Sequence, residues 1–382
     1  MSKPGLLIWV QHLFGRGHVQ RMAHIAQACA ADGFDVTVLA GGPNGRRAFT
    51  GIDHVSAHQM PALRTKDHQY TGLLTDRGEA PSEAFWEMRQ EVVLEVLRLA
   101  KPEFVLMELF PFGRRKFASE ALALISTARE LSTPPRIVSS VRDIVEPKAD
   151  PEKAAEMAGW LEQHFHAVLV HGDKSVIELK ETAPFVATSK VPLHYTGYVG
   201  PEDIDSEGIK SGVVVSAGSG LSGDGLLKIA AEAGTRAATE ESPWHIFVPP
   251  SVEAPSSGKN PYVFVHPFGS SFSHYMAKAE VSISEAGYNT AVEALKAGAT
   301  PVLVPYGEAG QTEQPLRARR FAKHGLAIAP EPGTLDPLRM IEAVEAARSL
   351  PDPRSTPGGL NLDGTSQVPM ILKGLREGGQ AF

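Results

Sequence analysis

Two successive runs of alternating strand and helix patterns, broken once near the middle, constrain this chain more than any other feature of its sequence. In the first run Leu6–Val10, Phe34–Leu39, Ile52–His58, Phe104–Glu108, Arg136–Val141 and Ala167–His171 are short and β-rich. Amphipathic stretches at His18–Ala31, Glu83–Ala100, Lys116–Leu131 and Pro151–Phe165 separate them. In Glu83–Ala100 the residues Met88, Val92, Val93, Val96, Leu97 and Ala100 share one helical face. Such crossovers join parallel strands, so the alternation predicts a parallel sheet covered by helices on both faces. The pattern stops at Gly197–Gly212, where Pro201, four glycines and a cluster of acidic residues gather. It then resumes with strands at Val213–Ala217, His245–Val248, Tyr262–Val265, Val281–Ser284, Pro301–Val304 and Leu326–Ala329. Helices are expected at Leu226–Thr239, Ser273–Lys278, Thr290–Ala297, Gln314–Lys323 and Pro337–Ala347.

The expected architecture is therefore α/β, with two Rossmann-like, doubly wound domains at residues 1–200 and 212–350 joined by a linker at 201–211. A tail at 351–382 begins rich in Pro and Gly and ends in a short helix at Gln367–Glu377, expected to pack back on the first domain. A chain of 382 residues suits two cores of ordinary size. Ligands in such folds sit beyond the carboxyl ends of the strands, and two facing domains make the cleft between them the natural site.

Composition narrows the function classes. At 42% hydrophobic and 21% charged the chain is globular, and no apolar run approaches the length of a membrane span. The N-terminus carries one lysine and enters a strand directly, without the apolar stretch and cleavage site of a secretory signal. A lone Cys29 excludes an internal disulfide and a cysteine zinc site. A cytoplasmic location is expected, with peripheral membrane contact left open. The net charge of −7 argues against a nucleic-acid partner, although Arg114, Arg115 and Lys116 form a local basic cluster.

Three loops carry the chemistry. The first strand leads through Gly15-Arg16-Gly17-His18 into a helix, where glycines permit a tight turn and free helix amides favour an anion. A dinucleotide fingerprint is excluded, because the third glycine is missing and Ala40-Gly41-Gly42 stands where an acidic ribose partner belongs. His18 at this turn can act as a general base near neutral pH, against the plainer reading of a cap or packed histidine. Glu108 and Asp143 each follow a strand and are the candidates to orient it, or else cap their own loops. The second domain opens with Gly218-Ser219-Gly220 after a strand, an anion cradle with Asp224 where an ATP-binding loop needs lysine. The densest signal is Ser284-Glu285-Ala286-Gly287-Tyr288-Asn289-Thr290, followed by Glu293 and then Glu313-Gln314. Gly287, Asn289 and Thr290 can approach phosphate oxygens at a helix start, and a carboxylate at Glu293 can accept from two ribose hydroxyls. Asp203-Ile204-Asp205 is surface charge in the linker. His54 and His58 have metal-like spacing on one strand face but lack a third ligand, so no metal is implied.

Gly15-x-Gly17-His18-x-x-Arg21, Gly218-Ser219-Gly220 and the series Glu285-Ala286-Gly287, Glu293, Gly298-x-x-Pro301, Pro305, Glu313-Gln314 together resemble glycosyltransferase family 28. Glu108–Arg115 and Val141–Ile144 resemble a bacterial branch of predicted glycosyltransferases. The resemblance implies a GT-B fold and a metal-independent, inverting transfer of sugar from a nucleoside diphosphate, in the family's habit uridine diphosphate, to an acceptor hydroxyl. No cofactor is implied. It makes His18 the acceptor-side base and gives the diphosphate to Gly15, Gly17, Gly218, Ser219, Gly220 and Thr290. Glu293 takes the ribose, backbone near Phe268 or Phe272 the nucleobase, and Glu313 and Gln314 the donor sugar. The family's best-known member, which builds the lipid-linked peptidoglycan precursor, has two glutamines at the last pair, so this chain departs from it there. The acceptor is unnamed: a small molecule or, because Phe110, Phe112 and Phe117 crowd one loop, an apolar or lipid-linked one. Rival readings are a nucleotide-sugar hydrolase, an epimerase on the same fold and a non-catalytic sugar-nucleotide sensor.

Overall fold

A computed structural model of the chain describes residues 3–13, 15–66, 71–146, 150–202, 204, 208–217, 224–269, 271–305, 312–331, 333–355 and 360–377. The chain divides into two compact units, one of Met1–Lys174, Glu178–Val199 and Asp363–Phe382, the other of Ser175–Ile177 and Gly200–Leu362.

In the first unit the elements are β1 (Gly5–Val10), α1 (Gly17–Ala31), β2 (Asp35–Ala40), β3 (Val55–Gln59), β4 (Leu63–Thr65), β5 (Leu73–Thr75), α2 (Glu83–Ala100) and β6 (Phe104–Glu108). They continue as α3 (Ala118–Arg129), β7 (Arg136–Arg142), α4 (Pro151–His164), β8 (Ala167–His171) and β9 (Leu193–Tyr195). Seven strands form one parallel sheet in the order β3-β2-β1-β6-β7-β8-β9. Helix starts follow local chemistry: Ser82 accepts the Phe85 amide to open α2, and Asp150 accepts the amides of Glu152 and Lys153 ahead of Pro151 in α4. Strand alternation sorts the sheet's side chains into two cores. Leu7, Trp9, Val105, Met107 and Ile137 face α2 and α3, whereas Leu6, Ile8, Val10, Phe104, Leu106, Val138 and Leu169 face α1.

The second unit holds β10 (Val213–Ser216), α5 (Asp224–Ala237), β11 (Trp244–Val248), β12 (Val263–Pro267), α6 (Phe272–Lys278), β13 (Val281–Ser284), α7 (Tyr288–Ala297), β14 (Thr300–Leu303), α8 (Glu313–Lys323) and α9 (Pro337–Arg348). Its sheet is parallel, in the order β12-β11-β10-β13-β14. The last helix, α10 (Gly364–Arg376), belongs to the first unit, where Val368, Leu372 and Leu375 join the core under α1. Lys373 pairs with Asp32 and Arg376 with Glu103 along the same seam.

Several expectations are corrected. The polar stretch after β3 contains an antiparallel hairpin, β4 with β5. Leu326–Ala329 makes only a single bridge, Val302 to Ile328, too short to count as a strand. His54 lies outside β3 with φ of 60°, so it shares no strand face with His58. Among the described residues no helix is long and apolar enough to cross a membrane.

Candidate active site

Strand order reverses beside β1 in the first sheet and beside β10 in the second, and the loops leaving the carboxyl ends there are free of a covering crossover. In the first unit those loops follow β1 and β6. Along β6, Phe104 and Leu106 point to α1, and the next residue on that face is Glu108 at the strand's end. Along β7 the same face runs Val138, Ser140, Arg142, with Ser140 in register with Glu108 and Arg142 with His171. The apolar face thus turns polar where the sheet ends.

Above it α1 begins at Gly17, after Gly15 has turned the chain with φ of 62°. His18 and Arg21, three residues apart, share one face of its first turn. His18 Nδ1 lies 2.5 Å from Glu108 Oε1, and Arg21 Nη2 donates to the same oxygen at 2.7 Å. Arg114 Nη2 approaches Glu108 Oε2 at 3.4 Å. Glu108 is wholly buried, while the His18 side chain keeps 17% of its exposure. Arg114 is delivered by a loop in which Leu109 and Arg114 adopt left-handed backbone, with φ of 64° and 61°. The loop is held by Leu109 N–H donating to Ser140 O at 2.9 Å and Gly113 N–H to Leu109 O at 2.8 Å. Such conformations persist only where surrounding contacts enforce them.

Burial works against the charge of Glu108, but His18, Arg114 and Arg21 outweigh it and hold the carboxyl well below the usual range. For His18 burial is the largest influence. The Glu108 carboxylate opposes it, Arg142 and Arg114 reinforce it, and the imidazole is taken down to about 4. An ionised Glu108 assigns the proton of the neutral ring to Nδ1 and leaves Nε2 with its lone pair. Asp143 is placed differently: Oδ1 accepts the amide of Ile144, its own neighbour, while the imidazole's carboxylate partner is Glu108. Phe110, Phe112 and Phe117 are buried under their loop, with Phe110 stacked on Trp160 and Phe112 on Phe185. Their suggestion of an apolar acceptor is withdrawn.

A second buried network on the opposite face was not visible in the sequence. Arg89 of α2 donates to Glu120 Oε2 at 2.8 Å, to Gln11 Oε1 at 2.8 Å and to the carbonyl of Pro61. Trp9 Nε1 donates to Glu120 Oε1 at 3.0 Å. Gln11 and Pro61 follow β1 and β3, so Arg89 pins the loops at the sheet's functional end. A side chain at Gly41 would meet Gln11 Oε1 at 1.6 Å, and one at Gly42 the carbonyl of His12 at 2.1 Å. Those glycines serve close packing.

In the second unit Gly218, Ser219 and Gly220 lie outside the described residues. The other switch-point loop follows β13. Gly287 is the N-cap of α7 and carries no side chain to cap it, and a Cβ at Gly287 would meet nothing within 4 Å. Asn289 and Thr290 are the second and third helical residues, half-buried, the helix beginning two residues earlier than the expected start at Thr290. Glu293, on the next turn, accepts from Ser273 Oγ at 2.6 Å; burial raises its carboxyl above the ordinary value, and the Ser273 hydrogen bond acts against this. Glu313 and Gln314 open α8. Arg317, one turn on and fully buried, donates to Glu313 Oε1 at 3.0 Å and to Ala286 O at 2.8 Å, with its guanidinium 5.6 Å from the Tyr288 ring centroid. It therefore ties Glu313 to the Gly287 turn. Its one sequence signal is the i,i+4 spacing from Glu313. Phe268 is 40% exposed and Phe272 buried, and their amides already bond Val248 O and Gly269 O. A nucleobase contact there would use a carbonyl or the Phe268 ring.

Residues 250–356 match the model of the Glycosyltransferase family 28 C-terminal domain. No curated protein matches the chain in sequence. Among solved structures, the glycotransferase of kitacinnamycin is 16% identical, with TM-score 0.62 over 99% of this chain and 97% of that one. Phytolacca americana UGT2, complexed with UDP-2fluoro-glucose and pterostilbene, is 13% identical with TM-score 0.61 over 100% and 95%. Acinetobacter baumannii MurG is 15% identical with TM-score 0.57 over 97% and 99%. At these identities the likeness establishes the fold, which is GT-B along the whole chain.

Proposed function

We propose that this chain, a family 28-type GT-B glycosyltransferase, moves a sugar from a nucleoside diphosphate donor onto an acceptor hydroxyl by one in-line, inverting displacement that needs no metal. The observation that carries the reading is the buried Glu108 carboxylate bonded to Nδ1 of His18 at 2.5 Å. His18 Nε2 takes the proton of the acceptor hydroxyl as its oxygen attacks the anomeric carbon. The bond from that carbon to the diphosphate breaks, and the leaving oxygens gain negative charge. The first turn of α7 meets that charge with amide dipoles, the work a metal would otherwise do, and the family resemblance gives Gly218, Ser219 and Gly220 the same part. Glu293 accepts from the ribose hydroxyls, and Glu313 and Gln314 hold the donor sugar. A uridine diphosphate sugar is the favoured donor, in keeping with the family resemblance and with the ligand in the UGT2 complex.

His18→Ala should abolish transfer and leave donor affinity, measured by calorimetry with uridine diphosphate, within about twofold. Wild-type turnover in that variant would end the proposal. Chelation with EDTA should leave the rate unchanged, and a loss restored by Mg²⁺ would show a metal requirement. Glu293→Gln should raise the donor KM about 10–100-fold with less change in kcat, because charge-assisted hydrogen bonds to ribose are lost. With donor alone, free sugar released as fast as transfer would make water the acceptor.

The pH profile follows from the imidazole's environment. A base held below its free value stays unprotonated further into acid. Hence kcat/KM should be flat from neutrality through 6.5 and fall only near about 4, with circular dichroism confirming the fold at each pH. An acid limb centred on 6.5 would show an imidazole that burial does not control.

A further inference from the structure

We infer that the acceptor carries an oxyanion, a carboxylate or phosphate group, bound in the first unit by Arg114 and Arg142 beside the hydroxyl that His18 activates. This rests on the reading of His18 as the acceptor-side base and adds to it the acceptor's chemical class.

Arginines gather at one end of the first sheet in a chain whose net charge is −7. Glu108 is the carboxylate of the polar basin at the end of β6, and it faces Arg21 and Arg114 directly. Arg142 follows Ser140 on the same sheet face, one step beyond the residue in register with Glu108. Both Arg142 and Arg114 act on His18 through space, and Arg114 and Arg16 act on neighbouring His12. Arg21 and Arg114 therefore contact the Glu108 carboxylate, and Arg114 and Arg142 both act on the imidazole beside it.

Arg114 is the decisive member. Its side chain is 8% exposed, and its contact with Glu108 is long, at 3.4 Å. Its Nε is buried without a partner. A buried guanidinium with five donors and one long acceptor contact lacks the hydrogen bonds that normally offset its desolvation. The neighbouring Arg115 shows the contrast: it turns outward and pairs with Glu156 on the surface. The fold holds Arg114 in left-handed backbone to keep it inward. A carboxylate or phosphate presents two oxygens side by side to the guanidinium fork and supplies the missing acceptors. It also offsets the Arg142 and Arg114 charges that add to burial in lowering the His18 proton affinity, so the bound anion strengthens the base at the moment an acceptor is present.

The test observes His18 by proton–carbon NMR of its imidazole in the full chain, assigned with His18→Ala and kept saturated with uridine diphosphate so that the donor phosphate site is filled. Inorganic phosphate and acetate are titrated separately, with chloride holding ionic strength constant. The expected result is a saturable shift of His18, weakened about tenfold or more in Arg114→Gln or Arg142→Gln and unchanged in Arg115→Gln. Tighter phosphate binding identifies a phosphorylated acceptor, and comparable acetate binding a carboxylate. Thermal unfolding checks each variant, and Arg142→Gln decides if Arg114→Gln fails to fold. A His18 response no larger than chloride produces, or one as tight in both arginine variants as in the unmodified chain, overturns the inference. The two readings fail separately. A silent His18 in a protein that still loses transfer on His18→Ala leaves the base in place and makes the acceptor uncharged. A specific anion response with turnover surviving His18→Ala leaves an anion site and removes the base.

Discussion

Glu108→Gln should lower the transfer rate by about 10³–10⁴-fold, the scale seen when a carboxylate that orients a catalytic imidazole becomes an amide. The carboxylate can only accept, so it fixes the proton on Nδ1 and keeps the lone pair on Nε2. An amide can donate to Nδ1 instead, which moves the proton to Nε2 and leaves no base. It also carries no charge to stabilise the imidazolium formed as the proton arrives. The same change strips Arg21, 1% exposed, of its counter-charge, so a stability loss of about 3–5 kcal/mol should accompany the catalytic one. The two effects separate by measuring kcat well below the unfolding midpoint, per folded molecule. Glu108→Asp keeps the charge and should hold more of the fold than of the rate, because shortening the side chain moves the acceptor oxygens away from His18. Wild-type kcat in Glu108→Gln would show that the pair is structural.

Arg89→Ala should produce the largest loss of stability away from the reacting groups, about 3–5 kcal/mol. Removing the guanidinium leaves Glu120 buried with the hydrogen bond from Trp9 Nε1 and deprives Gln11 and the Pro61 carbonyl of their donor. The replacement pair Arg89→Met with Glu120→Leu removes both charges at similar volume and should recover most of that loss. Urea unfolding followed by probes in each unit should show the transition of the first unit moving and that of the second unchanged. Equal stability of the single and double variants would mean that the buried charge of Glu120 costs nothing.

The features legible in the sequence were those set by local chemistry. The βα alternation gave two parallel sheets because buried strands and amphipathic crossovers have distinct periods, and Ser82, Asp150 and Asp336 mark helix starts wherever an acceptor precedes an apolar run. Glu108 could be nominated from its place after a strand, but its partners could not. His18 is 90 positions away in sequence, and only the sheet order, with β1 beside β6, brings them together. The same separation hid Arg89 and Arg317, whose partners come from several loops. The three phenylalanines after β6 show the converse. Their clustering was obvious, but which way each ring turns is decided by Trp160 for Phe110, Phe185 for Phe112, and Trp9 and Trp86 for Phe117, all contributed from elsewhere. The hairpin of β4 and β5 was missed because three-residue strands are too short to show a period.

Helix α10 completes the core beneath α1, although residues 200–362 intervene in the chain. On the ribosome this inverts the usual order of maturation, in which the domain made first folds first. The half carrying His18 emerges early, yet the core it shares with α10 stays incomplete until Val368, Leu372 and Leu375 have been synthesised, while the inserted half can already close its own core. An interrupted translation product would therefore display its sticky surface on the very helix that presents the base, making it a client for chaperones instead of a working fragment.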